Sequence, residues 1–364
     1  MKRYVIDSAA LLENLETVRR RAKGAKIYAV LKGNAYGLGI VNAAHILAKA
    51  NVEAFAVTEA SEAETLRREG FEQEILIIRS TSNREDLRTF IRLGCVCTVG
   101  SSDAAIAIRA AAQELDMSAC VHIEIDTGMG RTGFSPSALE DIKNVYNLGA
   151  EVVVTGIYTH FHSAFSNQKA TRAQFDLFMS TVTALQNAGY ETGCVHAANS
   201  SALMLYDWAV LDAVRVGSAL LGRLSFRTKG DRALKKVGYI ESTIDSVGWL
   251  SEGSTVGYGA GCKLKKAKKV AIIPVGYYHG FNVSQDQDLF RFRDGVRGCL
   301  SNIRNIIFPR SIKVTVNGKE VKVLGHIGMM HTAVDVTKVD CSTASIAVLQ
   351  AKPTMIKGLE RYYK

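Results

Sequence analysis

The sequence predicts an α/β protein: an N-terminal (β/α)8 TIM barrel followed by a C-terminal, mainly-β domain. Three observations carry that expectation. Between residue 27 and about residue 222, eight short runs rich in β-branched residues alternate with stretches of 3.6-residue apolar periodicity. That order is the one expected of parallel strands joined by helical crossovers. The runs are apolar almost throughout, as strands covered on both faces are. After about residue 230 the alternation stops, and an Asn317-Gly318 turn between two alternating runs marks antiparallel pairing.

The predicted barrel strands read, in order, IYAVLK, EAFAV, EILIIRS, CVCTV, CVHIEID, EVVVTGIYTHF, CVHAANS and AVRVGSALLG. The helices between them include VNAAHILAKA, EAETLRREG, SDAAIAIRAAAQEL and QFDLFMSTVTALQNAG. In the second domain YIESTIDSVGWL, KKVAIIPVG, the hairpin SIKVTVNGKEVKVLGHIG and AVDVT read as antiparallel strands. The expected domains are therefore 1–230 and 231–364, with the first ten or so residues free to pack on the second. The opening stretch MKRYVIDSAALLENLETVRRRAKG reads as an amphipathic helix, without the apolar core a signal peptide needs.

Composition narrows the class. Of 364 residues, 47% are apolar and 22% charged, which is ordinary for a globular protein large enough to bury a core without disulfide staples. The seven cysteines are an odd number and contain no CxxC pair, so reduced thiols and a cytoplasmic setting are expected. No apolar run is long enough to span a membrane. The net charge is +10, yet KLKKAKK (263–269) leads into a strand and KGDRALKK (229–236) reads as a linker surface. Neither has the interleaved aromatics that stack bases, so no nucleic-acid partner is expected, and without a transmembrane run no membrane partner is expected either.

Polar residues collect where the barrel strands end, which is where chemistry gathers in this architecture. Lys32 closes the first strand, and Arg131 follows a later one in EIDTGMGRTGF. His160 closes GIYTH, Asn199 and Ser200 close VHAANS, and Arg215 and Gly217 lie in AVRVGS. One buried Lys or His is usually structural; seven residues at corresponding strand ends are harder to assign to packing. Asn, Ser, Gly and backbone N–H groups after a strand suit a phosphate. A desolvated lysine has a depressed pKa and condenses with aldehydes. An aldehyde that carries a phosphate describes pyridoxal 5′-phosphate (PLP).

The segment LKGNAYGLG closely resembles the PLP-lysine segment of alanine racemases. DTGMGRTG, YTHF, HAANS, VRVG, VGYG, IPVGY and GMMHTAVDVT resemble that family's other blocks, in the same order, across most of residues 25–340. The resemblance implies a PLP-dependent amino-acid racemase with alanine as the default substrate, and a head-to-tail homodimer with active sites shared between subunits. It implies that Lys32 holds PLP and acts as one base, with Tyr258 of VGYG as the second base from the other subunit. His160 would contact PLP, and Arg215 would face the pyridine nitrogen. Tyr36, Asn199, Ser200, Gly217 and Ser218 match positions around the phosphate. Arg131 and Met329 match positions that bind the substrate carboxylate.

The sequence also departs from the family pattern. Where the family often has a carbamylated lysine set against the arginine of DTGMGR, this chain has Glu124, whose carboxylate is expected to pair with Arg131. His326 and Met330 replace an arginine and an aspartate near the substrate, and Phe165 stands about where an entrance aspartate usually sits. The connection between residues 280 and 310 is longer than usual. These changes concern the entrance, so a racemase of serine or of a larger amino acid is the alternative specificity, and a catalytically degenerate PLP-binding protein is the alternative class. An acidic partner at the pyridine nitrogen would mark a decarboxylase of this barrel class, and Arg215 disfavours one. His160 and His162 form an HxH pair without a third ligand in view, and no metal is expected.

Overall fold

The computed structural model describes residues 1–230, 233–284, 292–307 and 312–364. Part of the long 280–310 connection, and two residues of KGDRALKK, lie outside the described residues. The chain divides into two compact units: Ser8–Val237, and Gly238–Lys364 together with Met1–Asp7.

Strand β1 (Lys2–Ile6) opens the chain. The first unit then begins with helix α1 (Ser8–Ala22). Eight parallel strands follow and close into a barrel: β2 (Lys26–Val30), β3 (Ala54–Val57), β4 (Glu74–Ser80), β5 (Val96–Val99), β6 (Ala119–Ile125), β7 (Val152–Thr159), β8 (Cys194–Asn199) and β9 (Ala213–Val216). The ring shuts where β9 pairs in parallel with β2, with Tyr28 opposite Arg215. These are the eight runs read from the sequence, and β3 and β5 are buried at every position because helices cover their outer faces. The connecting helices are α2 (Lys32–Tyr36), α3 (Ile40–Lys49), α4 (Ala60–Arg68), α5 (Arg84–Arg92), α6 (Ser102–Leu115), α7 (Leu139–Tyr146), α8 (Gln168–Asn187) and α9 (Ser200–Leu205). Polar side chains start several of them. Asn83, Ser101 and Asn167 each accept a backbone N–H from the first turn of α5, α6 and α8.

The second unit is built on β10 (Gly238–Thr243), β11 (Ser246–Leu250), the short ribbon β12 (Thr255–Val256) and β13 (Cys262–Lys263), and β14 (Lys268–Ile273). Helix α10 (Phe292–Ile307) lies between β14 and the remaining strands. Those are β15 (Val314–Val316), β16 (Lys319–Leu324), β17 (Thr332–Asp335), β18 (Ile346–Leu349) and β19 (Glu360–Tyr363). Apart from the ribbon they form one nine-stranded sheet in the order β11-β14-β17-β16-β15-β18-β10-β1-β19. The β15–β16 hairpin turns at Asn317 and Gly318, whose φ values of 49° and 77° are those a type I′ turn requires.

One expectation fails at the N-terminus. The opening stretch is not helical from its start: Lys2–Ile6 is a strand, and the helix begins only at Ser8. The run Arg3-Tyr4-Val5-Ile6 is aromatic and β-branched, a pattern that fits a pleated surface better than a helix. Residues 4–6 are fully or almost fully buried.

Candidate active site

The C-terminal ends of the barrel strands surround a cavity of about 570 Å³. Nine of the residues singled out from the sequence line it: Lys32, Tyr36, Arg131, His160, Asn199, Ser200, Arg215, Gly217 and Ser218.

Lys32 follows β2 and starts a turn of unusual hand. Gly33, Asn34, Ala35 and Tyr36 have φ values of 64°, 54°, 53° and 54°, so four successive residues wind left-handed. Glycine takes that conformation freely, whereas Ala35 and Tyr36 do so at a steric cost. Asn34 anchors the turn: its Oδ1 accepts the Ile40 N–H at 2.8 Å, and its own N–H donates to Glu62 Oε1 at 3.0 Å. The Lys32 amine has a lowered pKa, because burial disfavours its charge and Arg131 lies nearby, with Glu62 opposing. A larger neutral fraction at ordinary pH follows.

Tyr36 leaves the same turn and lays its hydroxyl against Gly217. A Cβ at Gly217 would come within 2.3 Å of that oxygen, so only glycine fits there. Burial pushes the Tyr36 phenol up to about 12, so it remains a hydrogen-bond donor. At the end of β8, Asn199 accepts the N–H groups of Ser201 and Ala202 through Oδ1. Its amide nitrogen donates to the Phe161 carbonyl at 3.3 Å. Ser200 Oγ accepts the N–H groups of Gly217 and Ala219 at 3.1 and 3.2 Å, which leaves its own O–H to donate to a ligand. Ser218 stands next to Gly217 on the same wall.

Arg215 is buried on β9 and fixed from every side. Nη2 donates to the Thr159 carbonyl at 2.7 Å, Nη1 donates to His196 Nδ1 at 2.6 Å, and the guanidinium lies 4.6 Å from the Tyr158 ring centre. Guanidinium only donates, so His196 Nδ1 must accept, and its Nε2 carries the proton toward His122 Nδ1 at 2.9 Å. The two histidines are thereby neutral, and each has one assigned tautomer. Burial, with Arg215 adding to it, holds His196 well below its ordinary pKa and lowers His122 to about 4. His160 Nδ1 stands 3.5 Å from Arg215 Nη2. Burial and then Arg215, Arg131 and Lys32 bring its imidazole down to about 3.

Arg131 is half exposed and approaches the buried Glu124, with Nη2 3.7 Å from Oε1. That is an ion-pair distance and not a hydrogen bond; the shorter contact of Glu124 is from the Thr132 hydroxyl to Oε2, at 2.6 Å. Burial outweighs the Thr132 hydrogen bond and the two arginines, and the Glu124 carboxyl is raised above the ordinary carboxylate range. Upstream, Asp126 Oδ1 accepts the N–H groups of Gly128, Met129 and Gly130, which shapes the loop that presents Arg131.

The remaining predicted residues belong to the other unit. Tyr258 is 70% exposed, on a turn that follows Gly257 (φ 79°). Met329 and Met330 are exposed, the carbonyl of Met329 accepting the Tyr278 N–H at 3.0 Å. His326 is exposed, and so is Phe165 in the barrel unit. Among the described residues no three His, Cys, Asp or Glu side chains are grouped to hold a metal ion. All seven cysteines are free.

Sequence reasoning missed several residues here. Thr58, Glu59, Ile78, Arg79, Ser80, Thr132 and Tyr158 also line the cavity, and His122 and His196 stand behind it. Each histidine sits within a barrel strand, where it reads as core until its partner is known.

A phosphorylated pyridine aldehyde fits these residues. Lys32, Arg79, Arg131 and Arg215 give the cavity four cationic side chains against one lining carboxylate, Glu59, which suits a ligand with anionic groups. Ser200 and Tyr36 have hydroxyl donors to spare beside Gly217, where the absence of a Cβ lets the Tyr36 ring lie against the backbone.

Comparison with known proteins agrees with that fit. Residues 6–225 match the model of the alanine racemase N-terminal domain, and residues 237–357 match that of the alanine racemase C-terminal domain. The chain is 32% identical over 337 residues to an alanine racemase of Desulforamulus reducens, covering 91% of this chain and 84% of that one. It is 33% identical over 284 residues to the alanine racemase of Clostridium tetani, covering 77% and 73%. Among solved structures, alanine racemase of Clostridium difficile 630 superposes with a TM-score of 0.85 at 25% identity, covering 100% of this chain and 95% of that one.

Proposed function

Because the chain belongs to the alanine racemase family, we propose that it interconverts L- and D-alanine, with PLP held in the barrel cavity by Lys32. The observation that carries this reading is the pairing, in one cavity, of a lysine with a depressed pKa and a buried arginine. When bound, PLP supplies an electrophilic carbon and an electron sink for the charge that develops at the substrate Cα.

The residues divide the remaining work. The hydroxyls of Ser200 and Tyr36 are the donors for the phosphate, with Asn199, Gly217 and Ser218 around them. Arg215 offers only N–H donors, so it would hydrogen-bond a pyridine nitrogen without giving it a proton, which would favour return of a proton to Cα. Arg131 is the cation for the substrate carboxylate. The neutral amine of Lys32 takes or returns the Cα proton on one face. Tyr258, supplied by a second copy of the chain, serves the opposite face, and Met329 of that copy joins Arg131 at the substrate carboxylate. Two bases on opposite faces invert the centre without turning the substrate. The exposure of Tyr258 supports its use by a second copy in a homodimer with shared sites. The seven free cysteines support a cytoplasmic setting.

The test is incubation of the PLP-loaded protein with L-alanine in D2O. Deuterium should enter at Cα with appearance of D-alanine, and Lys32→Ala should abolish both exchange and inversion. Exchange without inversion would remove the second base from the scheme. Loss of neither in Lys32→Ala would remove the lysine.

A further inference from the structure

Helix α10 presents its apolar side to water. Phe292, Val296, Leu300, Ile303 and Ile307 are 89%, 42%, 62%, 53% and 63% exposed. Their spacing places them along one stripe, an arc of roughly 80° on an ideal helix. The half-buried positions are instead small or polar: Gly295, Gly298, Ser301 and Asn305, on the other side. The helix is thus reversed relative to an ordinary surface helix, which hides its apolar stripe and shows its polar face.

Two exposed arginines border the stripe. Arg297 follows Val296 and Arg304 follows Ile303, so both stand on the same flank of the helix. The helix sequence contains three arginines and one acid, Asp294. We propose that α10 is a membrane-surface element, which lies flat on an anionic lipid bilayer with its apolar stripe in the acyl boundary and Arg297 and Arg304 among the headgroups. A helix with a basic polar border and Phe, Leu and Ile on the other face has the composition of interfacial helices.

Charge decides between this occupant and a second copy of α10. Antiparallel packing of two such helices sets the arginine flank of one against that of the other, and like charges repel. Parallel packing sets it against the flank bearing Cys299, which offers no acid. The complement of this flank is a surface of negative charge. The helix is also weak by itself: two glycines and two asparagines in 16 residues leave little intrinsic helicity in water. A surface contact needs no long apolar run, so it is compatible with the finding that no helix of the described residues is long and apolar enough to cross a membrane.

The experiment is co-sedimentation of the full, PLP-loaded chain with vesicles of phosphatidylcholine alone and of phosphatidylcholine containing one quarter phosphatidylglycerol. The anionic vesicles should bind it about 30-fold more tightly, the gain expected for two surface arginines, and high salt should remove that gain. Leu300→Asp with Ile303→Asp should abolish sedimentation and leave racemisation in solution unchanged, which establishes that the variant folds. Arg297→Gln with Arg304→Gln should keep weak binding and lose the preference for anionic lipid. Failure of the unaltered chain to sediment overturns the proposal. So does a stripe variant that sediments normally, or one that changes self-association in the absence of lipid, which would assign the stripe to a second copy.

Discussion

Glu124 occupies a place where a carboxylate is costly, buried on β6 with its oxygens divided between Thr132 and Arg131. Its contact with Arg131 is long, and the arginine is half exposed, so the charge is worth no more than about 1 kcal/mol to the orientation of that guanidinium. Glu124→Gln retains the shape and the Thr132 contact and removes the charge. The expected result is a KM for alanine raised about fivefold with kcat nearly unchanged. An unchanged KM in steady-state kinetics would mean that Thr132 and the loop place Arg131 without the carboxylate. Glu124 was legible because it stands where a different residue type is usual. Tyr158 and His196 were not, since a tyrosine or a histidine within an apolar strand reads as core until its partner is known. Only the fold reveals that both face Arg215.

Two strand-level arrangements set the chemistry of the cavity. The left-handed turn after β2 fixes where Lys32 leaves the barrel. Its glycine was visible in the sequence, but the continuation of the same hand through Ala35 and Tyr36 was not, because no residue type announces it. The second arrangement is the line Arg215–His196–His122, which joins β9, β8 and β6 through the barrel interior. In the folded chain His122 titrates at about 4, below the ordinary value of 6.5, because burial excludes its cation. Between those values the unfolded chain binds a proton that the folded chain refuses. Stability is therefore highest above pH 6.5 and falls as pH is lowered through that window. His160, lowered to about 3, acts in the same direction over a wider window. Each such histidine contributes a slope of at most about 1.4 kcal/mol per pH unit. Urea unfolding at pH 7, 6 and 5 should show this decline, and His122→Asn should reduce its slope whatever it does to stability at pH 7. An identical slope in the variant would place the acid sensitivity elsewhere.

At the scale of the molecule, the chain's order and its folded units do not coincide. The barrel unit was readable because each of its strands is a compact apolar run followed by a periodic helix. The sheet of the other unit was readable only in part: its hairpin carries an Asn-Gly signature, but no local pattern tells residues 2–6 that they belong with residues 238–364. In the sheet, β1 lies between β10 and β19, antiparallel to the first and parallel to the second. A fragment of residues 238–364 therefore lacks an interior strand and should show no cooperative urea transition. Joining residues 1–7 ahead of Gly238 through a short glycine linker should restore one, since Ile6 already stands opposite Gly238. A cooperative transition in the fragment alone would mean that β1 is dispensable. The placement of β1 also bears on how the protein is made. Both sheet neighbours of β1 are translated after the barrel, so during synthesis its edges stay unpaired while the barrel assembles. Shielding of that strand until residues 238–363 have been made is what such a topology calls for.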